Sequence, residues 1–330
     1  RLGKRLDFHA TPDERAAADA FYEQVRAADA VVAAGGGYIN DYYHEHAWKV
    51  LATLSLAQGL RRPTAMFGAG LGPITRHDLR WRAGQILPRL RVLALREAAL
   101  GPRVVRELCA TDVQIVISGD DVVPVALRQA VGPISDRNAI GVNLRLSADA
   151  EVPESALASV REGIEHAAAR HAATIVPLVI RTQLSPVNDV TSAERIFGPA
   201  IDLSAARTVT TPQQALQQVA RCRVVVTGAY HNAVFALSMG IPVVGLCRST
   251  YYTAKLRGVA EGFGTGMSII SLDDPALSQR LPAEIARWWT QAASVAAPLR
   301  DAARRQTELG ESAYGQFLTA VGPVRSAGAR

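Results

Sequence analysis

Short apolar runs alternate with amphipathic, helix-like stretches along nearly the whole chain. The apolar runs are continuous, which is typical of strands that are covered on both faces in a parallel sheet. The stretches between them carry apolar residues at helical spacing. The predicted strands are residues 28–37, 63–73, 91–97, 113–121, 140–145, 173–180, 223–228 and 241–247, and the predicted helices are residues 46–60, 80–87, 102–109, 153–172, 211–222, 232–239 and 284–321.

The pattern restarts near residues 132–138, so it predicts two α/β domains, residues 1–133 and residues 134–330 with a helical tail. Two parallel-sheet domains that face each other form a cleft at the carboxyl ends of their strands. Ligands bind at that edge in open α/β sheets. Candidate chemistry is therefore sought where each predicted strand ends.

Length and composition indicate which classes of protein the chain can belong to. The chain has 330 residues, which is long enough for two domains. Hydrophobic residues make up 48% of it, enough to form a sizeable buried core. No apolar run is long enough for a transmembrane helix, and the first residues do not resemble a signal peptide. Because the chain begins at Arg1 and not at methionine, we expect it to be trimmed. Richness in alanine and arginine is typical of a high-GC bacterial source.

Cysteine usage and charge suggest the compartment and the partners. The three cysteines fit no metal or disulfide pattern, so a reducing cytoplasm is expected. The net charge of +6 is spread along the chain and suits anionic small molecules or a membrane surface. No basic cluster is interleaved with aromatic residues, so we expect no nucleic-acid partner.

Two glycine-rich segments follow predicted strands. Residues 35–37 are three glycines whose backbone can approach a ligand and form an anion-binding nest, or simply make a turn. Residues 68–74 read GAGLGPI, in which Pro73 stands where a dinucleotide-binding fingerprint would open a helix. A tight turn and a ligand contact both fit this second segment.

Charged residues stand at three other strand ends. Arg96 can clamp a carboxylate or phosphate, or pair with the adjacent Glu97. Of Asp120 and Asp121, one is expected to cap the next helix and the other to face the cleft. Arg145 is either a second anion clamp or a surface arginine. We nominate no metal site, because too few oxygen ligands accompany the two aspartates.

The segment VVVTGAYHNAVFALSMGIPVVGL, residues 224–246, places His231 between a strand and a predicted helix. Amides at a helix start can hold an anion, which would raise the pKa of a neighbouring imidazole and suit it to general acid catalysis. A histidine that is bonded to backbone is the alternative. After the next strand, residues 247–255 offer hydroxyls and an ammonium group for sugar or phosphate recognition, or form a surface loop.

These segments, in this order, resemble the polysaccharide pyruvyl transferase family. The matching pieces are ADAVVAAGGGYIND, FGAGLGPI, LREAALGPRVVRELC, SGDDVVPVAL, IGVNLR, the histidine segment and YYTAK, which span residues 28–265. The family usually has an arginine two residues before the histidine, where this chain has Ala229. Arg96, Arg145 or Lys255 would replace that arginine, or the donor differs.

The resemblance implies a GT-B-like α/β fold of two Rossmann-like domains, the first lacking its first strand and facing the acceptor, the second facing the donor. It implies transfer of a pyruvyl group from phosphoenolpyruvate, as co-substrate without other cofactors, to two sugar hydroxyls of a cell-surface or secreted glycan precursor, giving a ketal. His231 would be the acid/base catalyst. The donor contacts would be Arg96, Arg145, Tyr230, Asn232, Ser249 and Lys255, and the acceptor contacts Gly36, Gly37, Tyr38, Asn40, Asp120, Asp121, Tyr251 and Tyr252.

Two other functions fit the same residues. A nucleotide-sugar-dependent GT-B glycosyltransferase would use the same helix start for a diphosphate, and a non-catalytic carbohydrate-binding relative would explain Ala229. The expected acceptor is a saccharide or a lipid-linked saccharide. The expected location is the cytoplasm, at the inner face of the membrane if the acceptor is lipid-linked, and the sequence is compatible with peripheral membrane contact and self-association.

Overall fold

The structure is a computed structural model that describes residues 11–108, 113–129, 132–146, 150–180 and 188–322. The described chain divides into two compact units. Unit 1 takes the described parts of Arg1–Leu95, Gly101–Ile117 and Gly310–Arg330, and unit 2 takes the described parts of Arg96–Leu100 and Ser118–Leu309. These units depart from the predicted division after residue 133, because the turn after residue 117 and the loop after residue 95 pack with unit 2.

Unit 1 contains a four-stranded parallel sheet in the order β1-β2-β3-β4. Its strands are β1 (Val31–Ile39), β2 (Thr64–Leu71), β3 (Val92–Leu95) and β4 (Ile115–Ile117). Its helices are α1 (Pro12–Ala27), α2 (His44–Gly59), α3 (His77–Ile86) and α4 (Gly101–Glu107). Every residue of β2 and β3 is buried, as continuous apolar runs predict for central strands.

Unit 2 contains a five-stranded parallel sheet in the order β6-β5-β7-β8-β9. Its strands are β5 (Ala139–Asn143), β6 (Thr174–Pro177), β7 (Val224–Thr227), β8 (Val243–Cys247) and β9 (Met267–Ser271). Its helices are α5 (Val123–Leu127), α6 (Glu154–His171), α7 (Asp189–Phe197), α8 (Ser204–Arg207), α9 (Pro212–Ala220), α10 (Tyr230–Ser238) and α11 (Thr250–Phe263). The last helix, α12 (Leu277–Val321), contributes residues to both units.

Each unit has its own apolar core. The core of unit 2 consists of two apolar clusters, one on each face of the sheet. Val225 and Leu237 belong to one cluster, and Val226 and Ile285 belong to the other. In unit 1 the end of α12 packs its Phe317 against Phe67 of β2. The alternation of strand and helix along the chain is the GT-B-like, Rossmann-like α/β class that the sequence predicts.

Element boundaries differ from the predictions at two functional segments. The glycines of residues 35–37 lie inside β1, which continues to Ile39 through an irregularity in its pairing with β2, instead of forming a loop after it. Residues 250–263 form α11, where the sequence predicted a loop or a short polar segment. The predicted helix 102–109 ends at Glu107, and Cys109 lies outside the described residues.

Among the described helices, none is long and apolar enough to cross a membrane.

Thr211 is the N-cap of α9. The Thr211 hydroxyl accepts the Gln214 amide, and the Gln214 side chain returns to the Thr211 amide, which is a capping box. We expect Thr211→Ala to lower the free energy of unfolding by about 0.5–2 kcal/mol, because it leaves helix amides without a partner. Urea unfolding measures this, and Thr210→Ala should cost less; equal losses would contradict the assignment.

Candidate active site

The first turn of α10 carries the predicted catalytic histidine. α10 begins at Tyr230, with Ala229 as its N-cap, which is two residues before the predicted helix start at residue 232. His231 therefore lies within the helix. The Ala229 side chain cannot cap, and the described residues provide no hydrogen-bond partner for the amides of residues 230–232. The positive end of the helix therefore presents unused donors beside His231.

The His231 ring is partly exposed and makes no hydrogen bond with any described residue. It packs edge-on against the Tyr230 ring at 5.4 Å between centroids. Burial lowers the pKa of His231; Asp120 opposes this, whereas Arg96, Lys255 and Arg145 reinforce it. A bound anion would raise this pKa, as the position of His231 at a helix start predicts. Without such an anion, the surrounding cations and the protein interior keep the imidazole neutral at pH 7.

A buried ion pair lies next to Tyr230. Arg96 Nη1 is 3.5 Å from Asp120 Oδ2, and both side chains are almost wholly buried. The Arg96 guanidinium also stacks on the Tyr230 ring at 3.9 Å. Asp120 accepts the Val122 amide at 3.1 Å, so it caps its own turn, with Asp121 half-buried beside it. Glu97, the alternative partner of Arg96, accepts the amides of Ala99 and Leu100 in its own loop.

Two buried polar groups at this place lack partners within the described part of the chain. The Asn232 side chain is fully buried, and neither its amide nitrogen nor its oxygen makes a hydrogen bond. Nε of Arg96 is also buried and makes no hydrogen bond with a described residue. Buried polar groups in folded proteins nearly always have a partner from protein, water or ligand, so these two groups are candidates for contact with a bound polar group.

Arg145 follows β5 and forms a two-pronged pair with Asp189, the first residue of α7. Arg145 Nε lies 2.8 Å from Oδ1, and Nη2 lies 3.2 Å from Oδ2. Asp189 Oδ2 also accepts the Ile180 amide at 2.7 Å. The alternative of a plain surface arginine is wrong, because this guanidinium is mostly buried and engaged. Sequence reasoning missed Asp189, which lies 44 residues away and follows no predicted strand.

We expect Asp189→Asn to lower the free energy of unfolding of unit 2 by about 1–3 kcal/mol, because the amide keeps the Ile180 contact but leaves Arg145 without a counter-charge. Chemical denaturation is followed by tryptophan fluorescence in a Trp48→Phe, Trp81→Phe background, in which the remaining Trp288 and Trp289 report on this unit. Glu194→Gln, which breaks an exposed pair with Arg207, is the matched control and should change stability little. A loss no larger than that of the control would show that the Arg145 pair adds no stability.

The segment after β8 places four predicted residues on and before α11. The Ser249 hydroxyl accepts the Tyr252 amide as the N-cap of α11. The Lys255 ammonium lies 4.1 Å from the centre of the Tyr251 ring and 5.2 Å from that of Tyr252. A cavity of about 20 Å³, room for one small group, is lined by Arg145, Tyr252 and the backbone beside α10, and Ala229 borders it too.

The predicted acceptor residues of unit 1 have local packing roles. Gly36 has φ +109°, and a Cβ there would meet the Tyr38 ring at 2.7 Å, so only glycine fits. Asn40 is buried and accepts the Tyr43 amide while donating to the Gly37 carbonyl. Tyr38 packs edge-on against His46 at 4.8 Å. Their acceptor contacts stay predictions, as does the predicted cleft.

Other features of the described chain bear on the site only indirectly. No three histidine, cysteine or carboxylate side chains among the described residues are grouped as metal ligands would be. A cavity of about 580 Å³ runs along the edge strand β6 in unit 2. None of the predicted site residues lines it.

Solved structures of low sequence identity share this fold. A Listeria monocytogenes protein described as a UDP-N-acetylglucosamine 2-epimerase is 14% identical, with a TM-score of 0.56 over 93% of this chain and 79% of its own. Staphylococcus aureus MnaA, solved with UDP, is 14% identical, with a TM-score of 0.56 over 92% and 82%. The UDP-GlcNAc 2-epimerase of Neisseria meningitidis, bound to UDP-GlcNAc, is 12% identical, with a TM-score of 0.51 over 96% and 84%.

The sequence comparisons identify the family. No curated protein matches the chain significantly. The family model described as polysaccharide pyruvyl transferase matches residues 3–249, about three quarters of the chain, including β7, α10 and the His231 segment. The chain belongs to the polysaccharide pyruvyl transferase family.

Proposed function

We propose that the protein transfers the pyruvyl group of phosphoenolpyruvate to two hydroxyls of a saccharide, giving a ketal and inorganic phosphate. The observation that carries the proposal is His231, a partly exposed imidazole with no hydrogen-bond partner among the described residues. It stands in the first turn of α10, whose amides are unused, within the fields of Arg96, Arg145 and Lys255. Family membership supports the reaction class.

The reaction needs one proton at carbon and two oxygen–carbon bonds. Protonation of the methylene carbon makes it a methyl group and leaves an oxocarbenium-like centre at C2. The first sugar hydroxyl attacks C2, the bond from C2 to the phosphate oxygen breaks, and the second hydroxyl completes the ketal. Of the two hydroxyl protons, one balances the proton placed on the methyl group and the other leaves with phosphate.

His231 is the acid/base group in this scheme. Its imidazole takes up a proton when the anionic donor binds and delivers it to the methylene carbon. The α10 amides and the Asn232 side chain hold a phosphate or carboxylate oxygen, and Lys255 adds positive charge. Arg96 and Asp120 hold the Tyr230 ring against which His231 packs, so they position the catalytic group.

The decisive experiment incubates the full chain with phosphoenolpyruvate and a panel of glycosides. Phosphate release together with the mass gain of a pyruvate ketal on a glycoside supports the proposal. Thermal shift with phosphoenolpyruvate and with UDP and GDP sugars separates pyruvyl transfer from the two alternative functions, because each function requires a different ligand. Nucleotide sugars are included because MnaA and the N. meningitidis epimerase were solved with UDP and UDP-GlcNAc. Stabilisation by nucleotide sugars alone would favour glycosyl transfer, and stabilisation by glycans alone a binding protein.

Donor binding should be linked to proton uptake. The pKa of His231 lies below its ordinary value of 6.5 in the unliganded protein because of burial, so the ring is neutral at pH 7. A bound trianion raises that pKa, and the complex then takes up a proton. We expect the affinity for phosphoenolpyruvate to rise as the pH falls from about 8 to 6, more steeply than in His231→Gln. Calorimetry in two buffers of different ionisation heat measures the uptake; identical uptake in both proteins would contradict the role.

A further inference from the structure

The two loops that follow β1 and β2 in unit 1 are tied together. Asp41 accepts the amide and the hydroxyl of Thr75, both at 2.7 Å, and the Arg76 amide at 3.3 Å. The Gly72 amide donates to the Ile39 carbonyl at 2.8 Å. Both loops end parallel strands, the edge where open α/β sheets bind ligands. Residues between these ties are therefore held in fixed positions at that edge.

The helices that these loops enter are joined by a histidine–aspartate pair. His44 Nε2 lies 2.8 Å from Asp78 Oδ2, and Trp48 Nε1 donates to the same oxygen at 3.4 Å. Hydrogen bonding from His44 first, then from Arg76 and Trp48, lowers the pKa of Asp78, so it is a carboxylate at neutral pH. Nε2 of His44 donates to the Asp78 carboxylate, so the second ring nitrogen, Nδ1, faces a separate hydrogen-bonding position. No described residue bonds to Nδ1.

Three large aromatic side chains near this pair in the sequence are exposed. Tyr42 and Tyr43 directly precede His44 and are 47% and 43% exposed. Trp81 follows Asp78 by three residues on α3, so it lies on the same helix face. It is 60% exposed, the largest fraction for a big apolar side chain in the described part of the chain. Three exposed rings within three residues of one polar pair exceed the scattered exposure that surfaces normally show.

We propose that these four residues, Tyr42, Tyr43, His44 and Trp81, form a saccharide-binding surface on unit 1. Indole and phenol rings offer rigid, amphipathic faces that pack against the C–H faces of sugar rings. His44 Nδ1 forms a hydrogen bond with a sugar hydroxyl, and Asp78 is the positioning residue that fixes the ring. The inference rests on the proposed saccharide acceptor and adds the residues that recognise it.

The charges around the surface favour a saccharide over an anionic membrane. Carboxylates are interspersed with the cations, with Asp78 paired to Arg76 at 3.3 Å and Glu45 exposed beside His44. A polybasic surface that binds anionic lipid would present one sign of charge. Mixed donors and acceptors beside aromatic faces match the alternating hydroxyl and C–H surface of a sugar.

The test is binding of the full chain to an array of bacterial and plant glycans, without donor, followed by titration of each bound glycan. We expect Trp81→Ala and Tyr43→Ala to weaken affinity by about tenfold each, because each removes one stacking face. His44→Ala should weaken it as well. Leu318→Ala in α12 of unit 1, whose side chain is 57% exposed, is the matched control and should bind like the unchanged protein.

Each result decides the matter. Glycan binding that survives all three substitutions overturns the proposal, and so does a protein that binds no glycan on the array. Binding to phosphatidylglycerol vesicles that is lost in Trp81→Ala, without glycan binding, would assign the surface to the membrane instead. Ketal formation in Trp81→Ala at unchanged KM for glycoside would reject this surface alone. Glycan binding without phosphate release would reject the proposed reaction alone.

Discussion

Replacing His231 with alanine is expected to reduce pyruvyl transfer by about 10²–10⁴-fold, the usual contribution of a positioned general acid or base. The ring makes no hydrogen bond with described residues, so its loss breaks little structure. We therefore expect nearly unchanged thermal stability at pH 7. Phosphate release from phosphoenolpyruvate with a competent glycoside measures the rate, and calorimetric unfolding measures the stability.

The control for this substitution is His166→Ala, an exposed histidine of α6 in the same unit, which should leave the rate unchanged. Acidic pH gives a second comparison. A histidine whose pKa is lowered by folding stabilises the protein above its unfolded pKa, about 6.5, and this stability is lost as the pH falls. His231→Ala should therefore lose less stability on acidification than the unchanged protein. Activity intact with a large fall in stability would make His231 a structural residue.

The sheets were predictable because parallel strands that are buried on both faces leave continuous apolar runs. The end of β7 and the residues after it could be located in this way, which is why His231 could be singled out. The predicted start of α10 lies two residues too far along the chain, because neither Ala229 nor Tyr230 is a typical capping residue. β9 was missed because Met267–Ser271 is short and only partly buried.

The side-chain partners could be predicted only where they follow neighbouring strands. Arg96 comes directly after β3 and Asp120 soon after β4, and these strands pair in parallel, so their ends lie side by side. That register was a usable signal for the Arg96–Asp120 pair. No comparable signal joins Arg145 to Asp189 or His44 to Asp78, because those contacts depend on how helices pack after loops of unpredictable shape.

Removing Arg96 should have the largest effect on stability. Arg96→Met leaves the Asp120 carboxylate buried without its counter-charge, and loss of one partner of a buried ion pair costs about 3–5 kcal/mol. It also removes the cation that stacks on the Tyr230 ring, so His231 loses a support and the rate should fall. Urea unfolding is followed by tryptophan fluorescence in the Trp48→Phe, Trp81→Phe background, in which Trp288 and Trp289 report on unit 2, the unit that also contains the pair.

The double variant Arg96→Met with Asp120→Asn separates charge from packing. The side-chain oxygen that remains after Asp120→Asn can still accept the Val122 amide, and no unpaired charge is left, so we expect the double variant to recover much of the stability that Arg96→Met loses. Arg195→Met breaks an exposed pair with Glu154 in the same unit and should cost at most about 1 kcal/mol. An Arg96→Met loss no larger than that would contradict a buried, charged Asp120. Recovered stability without recovered activity would show that activity needs the charged Arg96–Asp120 pair for more than the stability that it provides.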